Sequence, residues 1–342
     1  MTAEVVTGSQ HGDIGALLAV EHLVVNFSLS RGVVVRAVSD VSFSVGEGET
    51  LGIVGESGCG KSSTGRAILQ LPRPTSGRVF FDGADLTRLP GPQLRAVRTR
   101  LQMIFQDPIS SLNPRQRVLD LVGGPLDAHG RSDGGRFSPA ERKERVAECL
   151  EAVGLEPRTA LDRRPHEFSG GQCQRINIAR ALVLRPALLI CDEPVSSLDV
   201  SIQAQIINLL EEMKQRYGLT MLFISHDLAV IKNISDRVAV MYLGKLVEIA
   251  PADELYSRPM HPYTLGLLAS VPEPDPDRQP STSQGVRGEL PSSTDPPSGC
   301  RFRTRCPRAQ DRCAVEEPPL VQLQPGHSVS CHFPVLHGAA AP

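Results

Sequence analysis

A chain of 342 residues, 40% apolar and 22% charged, has room for one large α/β domain with an appendage. Its formal charge of −2 announces neither nucleic acid nor an anionic lipid surface as a partner. No stretch approaches the roughly 18 unbroken apolar residues of a membrane-spanning helix. The first residues carry Glu4 and Asp13 without a basic flank, so no signal peptide is expected and the chain reads as cytosolic.

In chain order, residues 17–50 read as short strands. Val41, Phe43 and Val45 alternate with polar neighbours, whereas Val24 interrupts the alternation of Leu23, Val25 and Phe27. Thr50–Val54 is a short apolar run ending in a glycine-rich loop, as a buried parallel strand does. A helix is expected from Lys61 to a point before Pro72, then strands over 78–81, with an Asp82-Gly83 turn, and over 101–105. Between 113 and 164 the pattern is helical and more polar. There Ser138-Pro139-Ala140-Glu141 sets Ser at an N-cap, Pro at the first helical position and Glu three residues after the cap. Strands over 187–191, 219–224 and 238–243 alternate with helices over 201–216 and 228–235, which implies a mostly parallel sheet with helices on its faces. From 272 to 298 the composition turns to Pro, Ser, Asp, Gln and Gly, a linker that could not form a core.

Two motifs carry chemistry by residue type alone. Gly55-Glu56-Ser57-Gly58-Cys59-Gly60-Lys61-Ser62, continued by Ser63, fits the phosphate-binding loop and sits between a strand and a helix. Its glycines let backbone N–H groups face the phosphates of a nucleoside triphosphate, and the helix adds its positive end. Lys61 is expected on the β- and γ-phosphates and the Ser62 hydroxyl on Mg²⁺. Leu188-Leu189-Ile190-Cys191-Asp192-Glu193 is an apolar strand ending in two acids. Asp192 suits the Mg²⁺ carboxylate, and Glu193, on the other side of the pleat, suits a general base for the attacking water.

Phe168-Ser169-Gly170-Gly171-Gln172, ahead of the acidic strand, resembles the signature sequence of ABC (ATP-binding cassette) ATPases, with Phe where Leu is usual. The resemblance implies a P-loop α/β core with an antiparallel β subdomain at its start, a helical subdomain over about 115–185 and a C-terminal extension. It also implies a head-to-tail pair with two ATP molecules at its interface, where Ser169, Gly170, Gly171 and Gln172 face the γ-phosphate held by the opposite subunit. Gln106 then matches the glutamine touching Mg²⁺ or the attacking water, Ser197-Leu198-Asp199 the loop crossing the dimer interface, and His226 the switch histidine on the γ-phosphate. The aromatic residue that stacks on adenine in the family has no clear counterpart. Phe27 is the nearest ring, and it reads equally well as a strand residue facing the core.

Phe105-Gln106-Asp107-Pro108, Ser110 to Arg115, and His261-Pro262-Tyr263-Thr264 resemble the ATPases of dipeptide and oligopeptide importers, the second-ATPase type in particular. That implies a peripheral protein on the cytoplasmic face of the cell membrane, hydrolysing ATP to drive uptake of di- and oligopeptides. Its implied partners are two transmembrane permeases, a second ABC ATPase or another copy of this chain, and an extracytoplasmic peptide-binding protein. Relatives of similar sequence import nickel, glycosides or opines, and a non-transport ABC ATPase or regulatory protein is the alternative of another class. The expected division is an N-terminal tail over 1–16, the nucleotide-binding domain over 17–258, the importer extension over 259–272, the linker over 273–299 and a Cys-rich tail over 300–342.

Four of the eight cysteines, Cys300, Cys306, Cys313 and Cys331, crowd into that tail. In a cytosolic chain such crowding favours a metal or cluster site over disulfides. Their thiolates suit a [4Fe–4S] cluster, which some importer ATPases with a similar tail carry. They also suit zinc, with His327 or His332 as further ligands, or are plain thiols. Arg301, Arg303, Arg305, Arg308 and Arg312 would favour thiolates and offset cluster charge.

Overall fold

The computed structural model describes residues 15–29, 32–130, 135–270, 286 and 288–337; most of the expected tail over 1–16 and linker over 273–299 lies outside them. The chain forms two compact units, one of Met1–Val45, Thr50–Thr87 and Ser225–Pro342, the other of Gly46–Glu49 and Arg88–Ile224. It opens with β1 (Ala16–Ser28), β2 (Val34–Gly46), β3 (Thr50–Val54), α1 (Lys61–Ile68), β4 (Ser76–Phe81) and β5 (Ala84–Asp85). The second unit follows with α2 (Gly91–Val97), β6 (Leu101–Ile104), α3 (Val118–His129), α4 (Pro139–Ala152), α5 (Pro157–Ala160), α6 (Gly170–Leu182), β7 (Leu188–Asp192), α7 (Val200–Tyr217) and β8 (Thr220–Ile224). The chain then returns to the first unit with α8 (Leu228–Ile234), β9 (Arg237–Tyr242), β10 (Lys245–Pro251), α9 (Ala252–Ser257), α10 (Pro262–Leu268), α11 (Asp311–Val315), β11 (Val321–Gln324) and β12 (His327–Val329).

In the first unit β2, β1, β4 and β5 are successive neighbours, with β1–β4 and β4–β5 antiparallel. β1 and β2 run 13 residues each, longer than the short strands expected. The interruption at Val24 is a bulge: His22 has φ 51 and the β1–β4 register shifts between Glu21 and Val24. The slip switches the buried face from Leu18 and Val20 before it to Leu23 and Val25 after it. Phe27, by contrast, is 38% exposed, so its reading as a core-facing strand residue does not hold. β3 pairs with β9 in parallel and is buried at every position, as its apolar run predicts.

Leu243 (φ 43) and Gly244 (φ 80) turn β9 into β10, a hairpin with two positive-φ central residues. The strands expected from the sequence end at 243, and β10 is an additional strand. β12 pairs with β10, and β11 with β12, so the polypeptide beyond Cys300 adds two strands to this sheet.

In the second unit β6, β7 and β8 run parallel, with β7 and β8 buried throughout. α3, α4 and α6 pack on one another. α4 begins at the expected capping box: the Glu141 N–H donates to Ser138 Oγ (3.3 Å) and the Ser138 N–H to Glu141 Oε2 (2.8 Å).

Candidate active site

In the first unit, the loop from Gly55 to Ser63 joins β3 to α1, and its shape depends on glycine. Gly60 caps α1 at φ 107, and a Cβ there would lie 2.2 Å from the Ala37 carbonyl oxygen. Lys61 is 4% exposed and donates its ammonium to the carbonyls of Gly55 (2.7 Å) and Glu56 (3.1 Å). Ser57 and Gly58 are exposed, Ser62 and Ser63 half-buried, and the Cys59 thiol is buried, which pushes its pKa up.

Two residues far along the chain meet Glu56. Its N–H donates to the Tyr263 hydroxyl (3.0 Å), and its carboxylate takes both arms of Arg305 (2.6 and 2.9 Å). Neither partner was expected here. By sequence, Tyr263 belongs to the motif resembling the importer extension and Arg305 to the arginines around the tail cysteines. His261, buried beside them, caps α10 by accepting the Tyr263 N–H at Nδ1 (3.0 Å), and burial lowers its pKa to about 4. The carboxylate of Glu248, fully buried in β10, accepts the N–H groups of Met260 (2.6 Å) and His261 (3.0 Å). His226 follows β8 and is exposed, and Asp227 beside it caps α8 by accepting the Ala229 N–H (2.8 Å).

In the second unit, Asp192 ends β7 fully buried and Glu193 stands just beyond the strand. Glu193 has φ 48, a left-handed backbone that a branchless glycine would adopt more cheaply. Its N–H donates to the Ile224 carbonyl (2.9 Å), which holds it there. Gln106, beyond β6, donates from Nε2 to Glu193 Oε2 at 2.9 Å, so two of the expected catalytic side chains are in direct contact.

Ser169 caps α6 with a second capping box. The Gln172 N–H donates to Ser169 Oγ (3.3 Å) and the Ser169 N–H to Gln172 Oε1 (3.0 Å), both residues being exposed. Gly171 must lack a side chain, because a Cβ there would come within 2.7 Å of Ile202 Cγ2 on α7, while Gly170 faces Leu198. Ser197 and Asp199 are exposed, and Asp199 caps α7 by accepting the Ile202 N–H (3.1 Å) and the Ser201 hydroxyl (2.7 Å). That hydroxyl bond holds the Asp199 carboxyl below its ordinary range.

The tail cysteines lie within Coulombic reach of one another. Burial, and to a lesser degree the nearby Cys300, Cys306 and Cys313, push the Cys331 thiol up to about 12. The Cys300 N–H donates to the Cys313 carbonyl (2.8 Å) and the Arg308 N–H to Cys306 Sγ (3.4 Å). Among the described residues, no group of three or more His, Cys, Asp or Glu is arranged to hold a metal ion. His327, considered as a zinc ligand, is buried with its Nε2 on Glu248 (2.7 Å), and His332 Nε2 is on the Glu316 carbonyl (3.0 Å). Four of the five arginines engage oxygen rather than sulfur: Arg301 on the Leu243 carbonyl, Arg303 on the Ser298 carbonyl, Arg312 on Glu316 and Arg305 on Glu56, whereas the Arg308 charge and N–H favour the Cys306 thiolate.

These features, a phosphate loop, an acidic strand end touched by a glutamine and a capped Ser-Gly-Gly-Gln helix start, define the ATPase cassette of ABC transporters. The family profile described as ABC transporter matches residues 38–196, and that described as oligopeptide/dipeptide transporter, C-terminal region, matches 247–313. The chain is 51% identical over 324 residues to the oligopeptide transport ATP-binding protein OppF of Escherichia coli, spanning 92% of this chain and 95% of that one. It is 52% identical over 301 residues to AppF of Bacillus subtilis, also an oligopeptide transport ATP-binding protein, spanning 87% of this chain and 90% of that one. Among solved structures, the dimeric ATP-binding cassette MJ0796, in a post-hydrolysis state with ADP and phosphate, superposes with a TM-score of 0.62 at 29% identity. That match covers 69% of this chain and 98% of that one. The chain therefore belongs to the ABC transporter ATP-binding proteins of the oligopeptide/dipeptide transporter family, and it is an ATPase.

Proposed function

We propose that this chain hydrolyses ATP to drive the uptake of di- and oligopeptides through a membrane importer. The match of the C-terminal region to the oligopeptide/dipeptide family carries this reading, because the cassette alone is common to many transporters. In the proposed chemistry, the loop amides, Lys61 and Ser62 cradle the triphosphate, and Asp192, Ser62 and Gln106 serve Mg²⁺. Their carboxylate, hydroxyl and amide oxygens are the hard donors that ion takes, and its charge would offset that of the phosphates. Glu193 takes the proton of the attacking water as its oxygen bonds to the γ-phosphorus and the bond to ADP breaks, leaving ADP and phosphate. The 2.9 Å contact from Gln106 supports this role by orienting the carboxylate that receives the proton. His226 senses the γ-phosphate, and Ser169, Gly170, Gly171 and Gln172 complete the site of a second cassette across the Ser197-Leu198-Asp199 loop.

The proposed partners are two transmembrane permeases, a second ATPase or another copy of this chain, and a peptide-binding protein. Among the described residues no helix is long and apolar enough to cross a membrane, consistent with peripheral attachment at the cytoplasmic face. The division at 17–258, 259–272, 273–299 and 300–342 belongs to the same reading. Co-purification of the tagged chain from its native membranes tests it. Two multi-span permeases and a peptide-binding protein should accompany it; recovery on ribosomes or DNA would overturn it.

We also propose that Cys300, Cys306, Cys313 and Cys331 take up a [4Fe–4S] cluster, with zinc as the alternative occupant. Mutual proximity of the four thiols and backbone N–H groups directed at the sulfurs support this, since such hydrogen bonds stabilise bound thiolates. Iron, sulfide and zinc analysis of anaerobically purified protein decides between them, and absence of all three would leave plain thiols.

A further inference from the structure

Glu56 places a carboxylate in the loop read as the cradle of a polyanion. An unpaired carboxylate there would oppose the binding of phosphates by charge repulsion. The structure deals with it from outside the loop. Both arms of Arg305 close on the carboxylate (Nη1–Oε2 2.6 Å, Nη2–Oε1 2.9 Å), with the arginine side chain 5% exposed and the glutamate 29%. Bidentate pairing of this kind fixes direction as well as charge.

Arg305 is itself set in place by packing. Its guanidinium lies 5.8 Å from the centroid of the Tyr242 ring, which meets Tyr263 at 4.7 Å and Phe302 at 5.2 Å. Phe302, three residues before Arg305, is 2% exposed. The Glu56 N–H meanwhile rests on the Tyr263 hydroxyl (3.0 Å), and its carbonyl accepts from Lys61 (3.1 Å). The first variable residue of the phosphate loop is thus held at its N–H, its carbonyl and its carboxylate, two of these by residues from the C-terminal third of the chain.

We infer that Arg305 is a positioning residue for ATP: by neutralising Glu56 and, with Tyr263, fixing the start of the phosphate loop, it makes the loop's affinity for ATP depend on the C-terminal tail. The inference rests on the reading of Gly55–Ser63 as the triphosphate cradle. It separates two roles that a contact map confuses. If the pair served only to hold the tail, breaking it from either side would weaken ATP use equally. If its service is electrostatic, loss of the cation and loss of the anion have opposite consequences.

The test is steady-state ATP hydrolysis by the full chain in its membrane complex, comparing Arg305→Gln, Glu56→Gln and the double variant. Arg305→Gln should raise KM for ATP about five- to ten-fold, the scale of one partly screened charge contact, with kcat changed less than about two-fold. Glu56→Gln should lower KM for ATP, opposite in sign to Arg305→Gln, and the double variant should return it to within about two-fold of the unaltered chain. Added salt should narrow the Arg305→Gln effect. An unchanged KM in Arg305→Gln, or a double variant as impaired as that single one, overturns the inference. Should Arg305→Gln fail to fold, Glu56→Gln decides alone, because it leaves the tail sequence intact: a lowered KM supports the inference, and an unchanged or raised KM contradicts it. Lys61→Ala separates this from the premise. If it leaves ATP use normal the cradle reading itself fails, whereas loss of ATP use there beside a normal Arg305→Gln removes only the role of Arg305.

Discussion

Glu193, the proposed general base, is held in a strained backbone conformation. Its φ of 48 is unfavourable for any side chain, and the bond from its N–H to Ile224 together with the contact from Gln106 keeps it in place. Replacement by glycine should relieve about 1 kcal/mol of backbone strain while abolishing hydrolysis, so thermal unfolding and ATPase assays should move in opposite directions. Glu193→Gln keeps the size of the side chain and removes the proposed base. It should bind ATP as before with turnover reduced about 10²- to 10⁴-fold, measured by single-turnover hydrolysis beside equilibrium binding. Near-normal turnover would move the base elsewhere. Gly171 makes a different kind of demand, since a methyl group there meets the β-branched, stiff side chain of Ile202 at 2.7 Å. Gly171→Ala should cost about 1–3 kcal/mol by denaturant unfolding, and Ile202→Ala in the same chain should recover part of it.

Elements were legible in the sequence where the signal is local. The wholly buried β3, β7 and β8 follow from short apolar runs, and α4 from four consecutive residues that build a capping box. β10 was not legible. Its side chains are nearly all buried, so no alternation announces it, and the hairpin turn before it places a leucine at positive φ where Asn or Gly would have been the cue. The element scale also carries a pH dependence. His261 is buried with its pKa lowered to about 4, against about 6.5 in an unfolded chain. Between those values the unfolded state binds a proton that the folded state refuses, so stability is complete above about 6.5 and falls as pH drops toward 4. Glu248 on β10 and His327 on β12 share this buried cluster, the Glu248 carboxylate accepting from the His261 N–H and meeting His327 Nε2. Hydrogen exchange over 245–270 should accelerate through that window, and His261→Gln should flatten the response. An unchanged exchange pattern from pH 7 to 4.5 would contradict the buried neutral imidazole.

At the scale of the whole molecule, the family motifs name an ATPase in the order they occur along the chain, each within a few residues of a strand or helix end. The coupling of the tail to the phosphate loop could not be read that way. Glu56 and Arg305 stand 249 residues apart, and neither a lone acid in a glycine loop nor one arginine among five near cysteines marks its partner. Pairing of β12 with β10 and of β11 with β12, together with Phe302 against Tyr242, returns the tail to the sheet of the first unit. The same limit applies to the solute, because no residue of a cassette need touch what is carried. The account is tested most directly by uptake of a labelled tripeptide in cells deleted for this chain and complemented with it or with Glu193→Gln. Uptake should vanish on deletion, return with the unaltered chain and stay absent with Glu193→Gln. Uptake that survives the deletion, or that Glu193→Gln restores, would contradict the claim that ATP hydrolysis by this chain drives peptide import.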